Sequence, residues 1–353
     1  MDYMDRFFDE ISKEKNDIYF YGAGVVAKHL RTLFKQRKID FKGYMVDKKY
    51  LPEKASERFV DGKPMICPEE LQNPAAVIPA VYLDVNGKGA YSLQHDMIKK
   101  VYKRDFSSYI QFGAYSDEFM SKHKEKLFDL FTRLVDDRSR AAMLSFIAQK
   151  YDGNYEKTYS DKIQYYDSEI LPHPQKNMTF LDCGAYDGDT VFGFIDFLRH
   201  NNISSYKKCY ALEPDPKNYE KLCSNTKHYE NIECLCIGVS DKKDTLFFDE
   251  KSTVSSSISD CGSTKIDVDS IDNVLNGAEV SYIKMDIEGA EFSALLGARE
   301  TILKHRPQIA VCVYHKEDDL VRIPEYLLSL HPDYKLYLRN YAPAGVETVL
   351  YAI

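Results

Sequence analysis

The chain has 353 residues, of which 44% are hydrophobic and 29% are charged, and its formal net charge at pH 7 is −8. This length and composition are typical of a soluble globular protein with two domains. The acidic balance excludes a general nucleic-acid-binding surface, because neutralising phosphates requires a basic patch. No stretch approaches the roughly 20 apolar residues of a membrane span, and the first residues lack the pattern of a secretory signal, so we expect a cytoplasmic protein.

The N-terminal part predicts a small Rossmann-like α/β domain over residues 1–115. An apolar strand that begins at Ile18 runs into the glycine pair Gly22 and Gly24, and a helix follows. Two further strands and then a helix are predicted at Phe41–Val46, Ala75–Leu83 and His95–Tyr102. Strands that alternate with helices favour a parallel sheet with helices on its faces.

Two functions are open for this N-terminal domain. Gly22 and Gly24 lie between a strand and a helix, and Asp47 ends the next strand, which is the spacing of a dinucleotide-binding unit. Ala27 stands in place of the third glycine of that fingerprint. The domain also resembles small Rossmann-like modules of sugar-modifying enzymes, in which a nucleotide-sugar binds. The alternative is a structural module without a ligand, which could hold two copies of the chain together as a homodimer.

Residues 116–162 predict a helical linker region, and residues 163–353 predict a second, larger α/β domain. Its five parallel strands are expected at Thr179–Asp182, Lys208–Glu213, Ile232–Val239, Tyr282–Asp286 and Gln308–Tyr314. Its helices are expected at Thr190–His200, Pro216–Asn225, Ala290–Lys304 and Asp318–Leu330. Two last strands, Tyr334–Asn340 and Glu347–Ile353, are close enough to form an antiparallel hairpin. A parallel sheet closed by such a hairpin resembles the class I methyltransferase variant of the Rossmann fold.

A glycine turn follows the first strand of the second domain, in the segment Phe180-Leu-Asp-Cys-Gly-Ala-Tyr-Asp-Gly-Asp-Thr-Val. The glycines allow the backbone to approach a ligand closely, but their spacing differs from the dinucleotide fingerprint. The turn also carries three acids, Asp182, Asp187 and Asp189, which would repel a pyrophosphate. Acids at this position suit S-adenosylmethionine (SAM), which has a sulfonium, an ammonium and no phosphate.

A carboxylate also ends the second strand, where Glu213 follows Gly188 by 25 residues. An acid at this point can accept hydrogen bonds from both ribose hydroxyls of a nucleoside. The alternative for Glu213 is a structural role at the start of the next helix. We predict that the cofactor site consists of Asp182, Gly184, Ala185, Tyr186, Gly188, Asp189, Thr190 and Glu213.

Three ordered blocks of this sequence resemble the FkbM family of methyltransferases. They are Asp182–Thr190, the run Glu213-Pro-Asp-Pro, and the run Ile283-Lys-Met-Asp-Ile-Glu-Gly-Ala-Glu-Phe. The resemblance covers roughly residues 179–353. It implies SAM-dependent methyl transfer, usually to a hydroxyl oxygen, and many relatives act on sugars or on glycan and polyketide-type products. The expected function is therefore O-methylation of a sugar, a glycan or a related metabolite.

Acidic side chains and one histidine follow the fourth and fifth predicted strands. Asp286 ends one strand and His315 follows the next, and ligands of open α/β sheets bind at these carboxyl ends. We expect His315 to act as a general base that Asp286 orients. Asp286, Glu288 and His315 could equally bind a divalent ion such as Mg²⁺. Glu288 and Glu291 also suit the start of the next helix, which would be a structural role.

Two other function classes stay open. An NAD-dependent oxidoreductase or epimerase would use the N-terminal domain, but its catalytic partners are not evident from the spacing of the residues. A non-catalytic SAM- or sugar-binding protein would keep the turn at Asp182 and dispense with His315 and Asp286. Binding of SAM separates the oxidoreductase from the other two classes, and formation of S-adenosylhomocysteine then separates the methyltransferase from the binding protein.

Overall fold

The computed structural model describes residues 3–80, 93, 95–102, 114–152, 160–171, 174–248, 264–342 and 345–353. The chain divides into two compact units. The N-terminal unit comprises Met1–Glu125, Ala141–Tyr159 and Ala342–Val346, and the C-terminal unit comprises Lys126–Arg140, Ser160–Tyr341 and Glu347–Ile353. Within the described ranges, no helix combines the length and the apolar character needed to cross a membrane.

The N-terminal unit is built on one six-stranded sheet. Its helices include α1 (Tyr3–Ile11) and α2 (Val25–Gln36), with 3₁₀ turns at Lys48–Tyr50, Ala55–Glu57 and Pro68–Glu70. Its strands are β1 (Asp17–Tyr21), β2 (Gly43–Met45), β3 (Phe59–Val60), β4 (Lys63–Ile66), β5 (Ala75–Pro79) and β6 (Ile98–Val101). The order is β3-β4-β2-β1-β5-β6, in which the β3–β4 pair is antiparallel and the other pairs are parallel. The end of the predicted third strand, residues 81–83, lies outside the described residues.

Aromatic side chains fill the core of the N-terminal unit. Phe20 of β1 stacks on Phe41 with ring centroids 4.2 Å apart, and Phe34 of α2 meets Phe20 edge to face at 4.9 Å. All three side chains are buried. Because such ring pairs add directional contact to the area that they bury, they fix how α2 packs on the sheet.

The helix predicted at His95–Tyr102 is wrong, because the structure has strand β6 in this segment. The apolar residues there have a spacing compatible with a helix, but the main chain pairs with β5 instead. Ala75 N–H donates to Met97 O at 2.8 Å, and Tyr102 N–H donates to Val77 O at 2.9 Å. These hydrogen bonds along a sheet edge outweigh the weak local preference of a short segment.

The C-terminal unit contains a seven-stranded sheet and a smaller one. The strands are β7 (Thr179–Cys183), β8 (Lys208–Leu212), β9 (Ile232–Leu235), β10 (Gly238–Ser240), β11 (Asp244–Phe248), β12 (Thr264–Ser270), β13 (Tyr282–Met285), β14 (Gln308–Cys312), β15 (Leu336–Asn340) and β16 (Thr348–Ala352). The large sheet has the order β15-β16-β14-β13-β7-β8-β9. Five neighbouring strands of this sheet run parallel, in the order β9, β8, β7, β13 and β14. Strand β16 runs antiparallel to both β14 and β15. This arrangement confirms the predicted parallel sheet with a terminal hairpin.

Helices connect these strands. Helices α3 (Asp117–Arg133) and α4 (Asp137–Asp152) each have residues in both units, and the C-terminal unit adds α5 (Asp189–His200), α6 (Pro216–Thr226), α7 (Ile271–Leu275), α8 (Glu291–Leu296), α9 (Arg299–His305) and α10 (Asp319–Leu330). The sequence did not predict β11, β12 or α7.

Two long predicted elements are each divided in the structure. The predicted helix Ala290–Lys304 is interrupted between α8 and α9 at Gly297, where a Cβ would lie 2.1 Å from the main-chain oxygen of Ser240 in β10. The predicted strand Ile232–Val239 becomes β9 and β10, and β10 joins the smaller sheet, whose order is β10-β12-β11. The close contact of Gly297 with β10 leaves no room for a side chain, so only glycine suits the break.

Candidate active site

The candidate site lies where the strand order of the large sheet reverses, between β7 and β13. Ligands of open α/β sheets bind at the carboxyl ends of the strands at such a point. Gly184 follows β7 with a φ of +80°, and a Cβ on it would lie 2.1 Å from the main-chain oxygen of Asp286, which follows β13. Because only glycine fits there, a backbone contact joins the two halves of the site.

A buried ion pair supports this glycine turn. Lys284 Nζ lies 3.1 Å from Asp182 Oδ1, and both side chains are at most 3% exposed. Lys284 also donates to the main-chain oxygen of Gly184 at 2.7 Å, and Thr190 Oγ1 donates to Asp182 Oδ2. Burial disfavours the charge on Lys284, but the carboxylate of Asp182 outweighs it and raises the pKa of the lysine above its usual value. The protonated lysine therefore ties the turn to the strand beside it.

Glu213 joins the loops that follow β7 and β8. Its Oε2 accepts a hydrogen bond from Tyr186 N–H at 2.9 Å, and its Oε1 accepts one from Asp215 N–H at 2.9 Å. Burial raises the pKa of Glu213 to about 7, against the lowering effect of these two donors. Tyr186 has a left-handed φ of +46° and is 51% exposed. The carboxylate thus fixes the loop that is predicted to hold the nucleoside.

The other predicted cofactor residues form one connected turn. Ala185 is buried, and its carbonyl accepts a hydrogen bond from Gly188 N–H at 2.8 Å. Gly188 has a φ of +98°, and Asp189, which is exposed, begins α5 and accepts a hydrogen bond from Thr190 N–H at 2.7 Å. Asp182 has no exposed surface, so the structure shows it supporting the turn. Direct contacts of these residues with a cofactor stay predictions.

The second half of the site is an acidic centre around His315, which we define as His315 with Asp286, Glu288, Glu291 and Glu347. His315 Nδ1 donates to Glu291 Oε1 at 2.8 Å. His315 Nε2 lies 3.7 Å from Asp286 Oδ1 and 3.5 Å from Glu288 Oε2. The sequence predicts that Asp286 orients the imidazole, whereas in the structure Glu291 holds the ring, because its carboxylate is at hydrogen-bond distance and that of Asp286 is not.

Neighbouring charges control protonation in the acidic centre. Burial disfavours the imidazolium, but the carboxylates of Glu291, Asp286 and Glu288 outweigh it and raise the pKa of His315 to about 9. Burial also raises the pKa of Glu288 to about 7, although His315 acts in the opposite direction. At neutral pH His315 is therefore protonated, and it can accept another proton only after its own has left.

Tyr165 belongs to this half of the site but was not predicted. Its hydroxyl donates to Asp286 Oδ2 at 2.9 Å and lies 3.5 Å from Cys312 Sγ. Tyr165 has a left-handed φ of +66°, and its main-chain N–H and carbonyl bind the hydroxyls of Tyr351 and Tyr282. An unfavourable backbone conformation persists only where its surroundings fix it, so the fold holds Tyr165 firmly against Asp286.

Glu347 was also missed by the sequence analysis. It lies just before β16 with a left-handed φ of +58°, and Gln164 Nε2 donates to its Oε2. Burial raises the pKa of its carboxyl. One donor atom from each of Asp286, Cys312 and Glu347 lies within 4.8 Å of the other two. No periodic pattern marks Glu347, and the one signal for Tyr165 is that it lies in the tyrosine-rich segment 151–166 of the sequence.

The three side chains predicted as metal ligands are brought together. One donor atom from each of Asp286, Glu288 and His315 lies within 4.8 Å of the other two. The fold therefore places the predicted cofactor turn and the predicted catalytic residues at one edge of one sheet.

Comparisons with known proteins address the fold and the family. Residues 182–342 match the profile of the methyltransferase FkbM domain. The crystal structure of a methyltransferase FkbM from Methylobacillus flagellatus KT is 21% identical, with a TM-score of 0.78 that covers 98% of this chain and 93% of that chain. No curated protein sequence matches significantly. This structural likeness shows that the fold extends over almost the whole chain.

Two other solved structures are more distantly similar. An rRNA methylase from Streptococcus thermophilus is 15% identical, with a TM-score of 0.32 over 52% of this chain and 90% of that chain. Fibrillarin from Aeropyrum pernix, solved with bound SAM, is 10% identical, with a TM-score of 0.31 over 51% of this chain and 67% of that chain.

Proposed function

We propose that this chain transfers the methyl group of SAM to a hydroxyl oxygen of a sugar, a glycan or a related metabolite, on the basis of the match of residues 182–342 to the methyltransferase FkbM domain. The observation that carries this proposal is the contact between the two halves of the site, in which the turn at Gly184 touches Asp286 of the acidic centre. A cofactor held at the turn would therefore lie beside the proton-accepting groups of the acidic centre.

The residues of the turn suit a phosphate-free, positively charged nucleoside. Each oxygen of Glu213 accepts one main-chain hydrogen bond and keeps a second acceptor position, which suits two ribose hydroxyls. The exposed carboxylate of Asp189 adds negative charge at the start of α5, which suits an ammonium group. Lys284, which donates to the main-chain oxygen of Gly184, is buried and paired with Asp182, so it is not offered to a phosphate.

In the proposed reaction the acceptor oxygen bonds to the methyl carbon, the carbon–sulfur bond breaks, and its electron pair stays on sulfur. When bound, SAM supplies an electrophilic methyl group. The hydroxyl proton passes to the acidic centre, where we assign the base to His315 and its orientation to Glu291. His315 takes up the hydroxyl proton in its neutral form, which becomes more populated as the pH rises toward its pKa of about 9. Such a base contributes about 10²- to 10⁴-fold to a rate.

The function is tested by binding and then by turnover. Isothermal titration of the full chain with SAM and with S-adenosylhomocysteine should give one site per chain. Transfer of a radiolabelled methyl group from SAM to a panel of free hexoses, nucleotide-linked hexoses and short glycans should form S-adenosylhomocysteine in step with the methylated sugar. Absence of SAM binding would overturn the proposal. Binding without turnover on any panel compound would favour the non-catalytic alternative.

Replacing Glu213 with alanine should weaken SAM binding by about 10- to 100-fold, because hydrogen bonds to a charged group contribute about 1.5–3 kcal/mol. The substitution also removes the acceptor of Tyr186 N–H and loosens the cofactor loop. Calorimetric titration measures the change in dissociation constant. Glu220, an exposed glutamate of α6, is the matched control, and Glu220→Ala should bind SAM like the wild type. Equal affinities for the two variants would contradict the ribose role.

The affinity for SAM should fall as the pH drops below about 7. The pKa of Glu213 is raised to about 7, so its carboxyl becomes protonated below this pH and loses acceptor capacity for the ribose. If SAM binds only when Glu213 is ionised, the affinity falls by at most about tenfold per pH unit below that pKa and does not change with pH above it. Titrations between pH 5.5 and 8.5 measure the profile. In Glu213→Gln the same profile should be flat, and an unchanged slope in this variant would assign the pH dependence to another group.

Nucleotide binding by the N-terminal unit stays a separate prediction. The strand order of its sheet reverses between β1 and β5, and Gly22 follows β1 with a φ of +102°. Apart from Gly24 itself and its two neighbours in the chain, no heavy atom of the described residues lies within 4 Å of a Cβ built on Gly24 at the start of α2. Asp47 accepts a hydrogen bond from the hydroxyl of Tyr21 at 2.5 Å. These features support a nucleotide-sugar or a dinucleotide as the ligand, and they are equally compatible with a structural module.

A further inference from the structure

We infer that Asp286, Glu288 and His315 bind a divalent first-row transition-metal ion. The binding rests on these side chains and their partners. The role of the ion, which is to polarise the acceptor hydroxyl, rests on the proposed methyl transfer. A metal-bound Nε2 cannot take up a proton, so with the ion in place His315 is a ligand and a carboxylate of the acidic centre takes up the hydroxyl proton instead.

The distances between the donor atoms suit one ion. His315 Nε2 lies 3.7 Å from Asp286 Oδ1 and 3.5 Å from Glu288 Oε2. Ligand atoms about 2.1 Å from a tetrahedral ion are about 3.4 Å apart, so a small adjustment of side chains is enough to coordinate one. Asp286 and Glu288 follow β13 and His315 follows the neighbouring parallel strand β14, so the three residues lie at the edge of the sheet where ligands of open α/β sheets bind.

Outer partners already hold two of the three ligands. Glu291 accepts a hydrogen bond from His315 Nδ1 at 2.8 Å, which directs Nε2 toward the carboxylates. Tyr165 donates to Asp286 Oδ2 at 2.9 Å, while Oδ1 is the oxygen that faces His315. Histidines that bind metals almost always donate their other N–H to a carboxylate or a carbonyl, and ligating carboxylates are themselves hydrogen-bonded. The acidic centre has both features.

The charge of the centre also indicates a cation. Four carboxylates, those of Asp286, Glu288, Glu291 and Glu347, surround one imidazole. Glu291 has no exposed surface, and its Oε2 has no hydrogen-bond partner among the described residues. Uncompensated buried charge is costly, so a centre with this composition is more stable with a divalent ion than without one.

The ligand types favour a transition metal over Mg²⁺. Magnesium prefers oxygen ligands in nearly ideal octahedral geometry, whereas imidazole suits ions such as Zn²⁺, Fe²⁺ and Co²⁺. A thiol, Cys312 Sγ, also lies within 4.8 Å of donor atoms of Asp286 and Glu347 at the edge of the centre. We therefore replace the Mg²⁺ of the sequence analysis with a borderline first-row ion.

Co²⁺ is the probe, because its visible absorption bands report the ligands that surround it. The full chain, treated with EDTA and dialysed, should take up one Co²⁺ per chain. The visible absorption bands of the bound Co²⁺ should show that an imidazole is among its ligands. Mg²⁺ in equal concentration should not displace it. Absence of these bands, or their loss on addition of equimolar Mg²⁺, would overturn the inference.

Two ligand variants and one outer variant test the site. His315→Ala and Glu288→Gln should each weaken Co²⁺ binding by about 100-fold or more, because loss of outer partners alone costs about 10- to 100-fold. Glu291→Gln, which alters an outer partner only, should weaken Co²⁺ binding by about 10- to 100-fold. His200→Ala, an exposed histidine of α5, is the matched control and should bind Co²⁺ like the wild type. Circular dichroism verifies that each variant is folded. If His315→Ala does not fold, the Co²⁺ affinity of Glu288→Gln alone tests the site.

Titration of the same preparations with SAM separates this inference from the proposed function. If the wild-type chain binds SAM but takes up no Co²⁺, the inferred metal site is wrong and the proposed methyltransferase function stands. If the wild-type chain takes up Co²⁺ but binds no SAM, the metal site is supported and the proposed methyl transfer is contradicted. Wild-type affinity for Co²⁺ in folded Glu288→Gln and in folded His315→Ala would place the ion elsewhere and overturn the inference.

Discussion

Replacing His315 with alanine should lower kcat for methyl transfer by about 10²- to 10⁴-fold and leave the dissociation constant of SAM nearly unchanged. The imidazole is 3% exposed and lies among the carboxylates that follow β13 and β14. The residues predicted to contact the cofactor lie instead on the turn after β7 and at Glu213. The substitution therefore removes the proton acceptor, or a ligand of the ion, without changing the nucleoside site.

The assay measures S-adenosylhomocysteine formed at saturating SAM, with the panel sugar that the wild-type chain methylates fastest. Glu291→Gln keeps the size of the residue that holds the ring but removes its charge, so its kcat should fall less than that of His315→Ala. His331 is a control histidine, because its Nε2 lies 2.9 Å from the main-chain oxygen of Ile302, outside the acidic centre. If His315→Ala turned over like His331→Ala, another residue would have to take the proton.

Replacing Lys284 with methionine should lower the free energy of unfolding by about 3–5 kcal/mol, which is typical when one partner of a buried ion pair is removed. Asp182 would keep a carboxyl group with no exposed surface and without the lysine 3.1 Å away. The main-chain oxygen of Gly184 would also lose its donor. Because the same lysine holds the glycine turn, the affinity for SAM should fall together with stability.

Urea unfolding measures this loss, and two further variants show where it originates. The double variant with Asp182→Asn and Lys284→Met should recover a large part of the stability, because no unpaired charge is left inside. Lys207 forms a matched exposed pair with Glu279, 3.0 Å apart with both side chains more than half exposed. Lys207→Met should change stability by about 1 kcal/mol or less. A Lys284→Met chain as stable as Lys207→Met would show that the buried pair does not support the turn.

Local sequence was sufficient to predict the glycine turn after β7 and the edge of the sheet that carries the candidate site. Gly184 and Gly188 take left-handed backbone conformations where the sequence has glycine after a buried strand. Apolar runs show where strands end, and parallel strands bring their carboxyl ends to one edge, so Asp286 and His315 could be predicted as neighbours. The terminal hairpin followed from two closely spaced strands. Each of these conclusions depends on residues within one strand and the turn that follows it.

Tertiary structure alone decided which side chains are partners. Glu291 faces His315 across 24 residues of chain, and Tyr165 faces Asp286 across 121. Edge pairing with β5 made β6 a strand, although its local pattern is compatible with a helix. Local patterns report backbone preference and exposure, whereas hydrogen-bond partners depend on distances between segments that only the packed chain brings together. For this reason the sequence predicted the aspartate, glutamates and histidine that follow β13 and β14, whereas the fold added Tyr165 and Glu347 and determined which side chains hold the others in place.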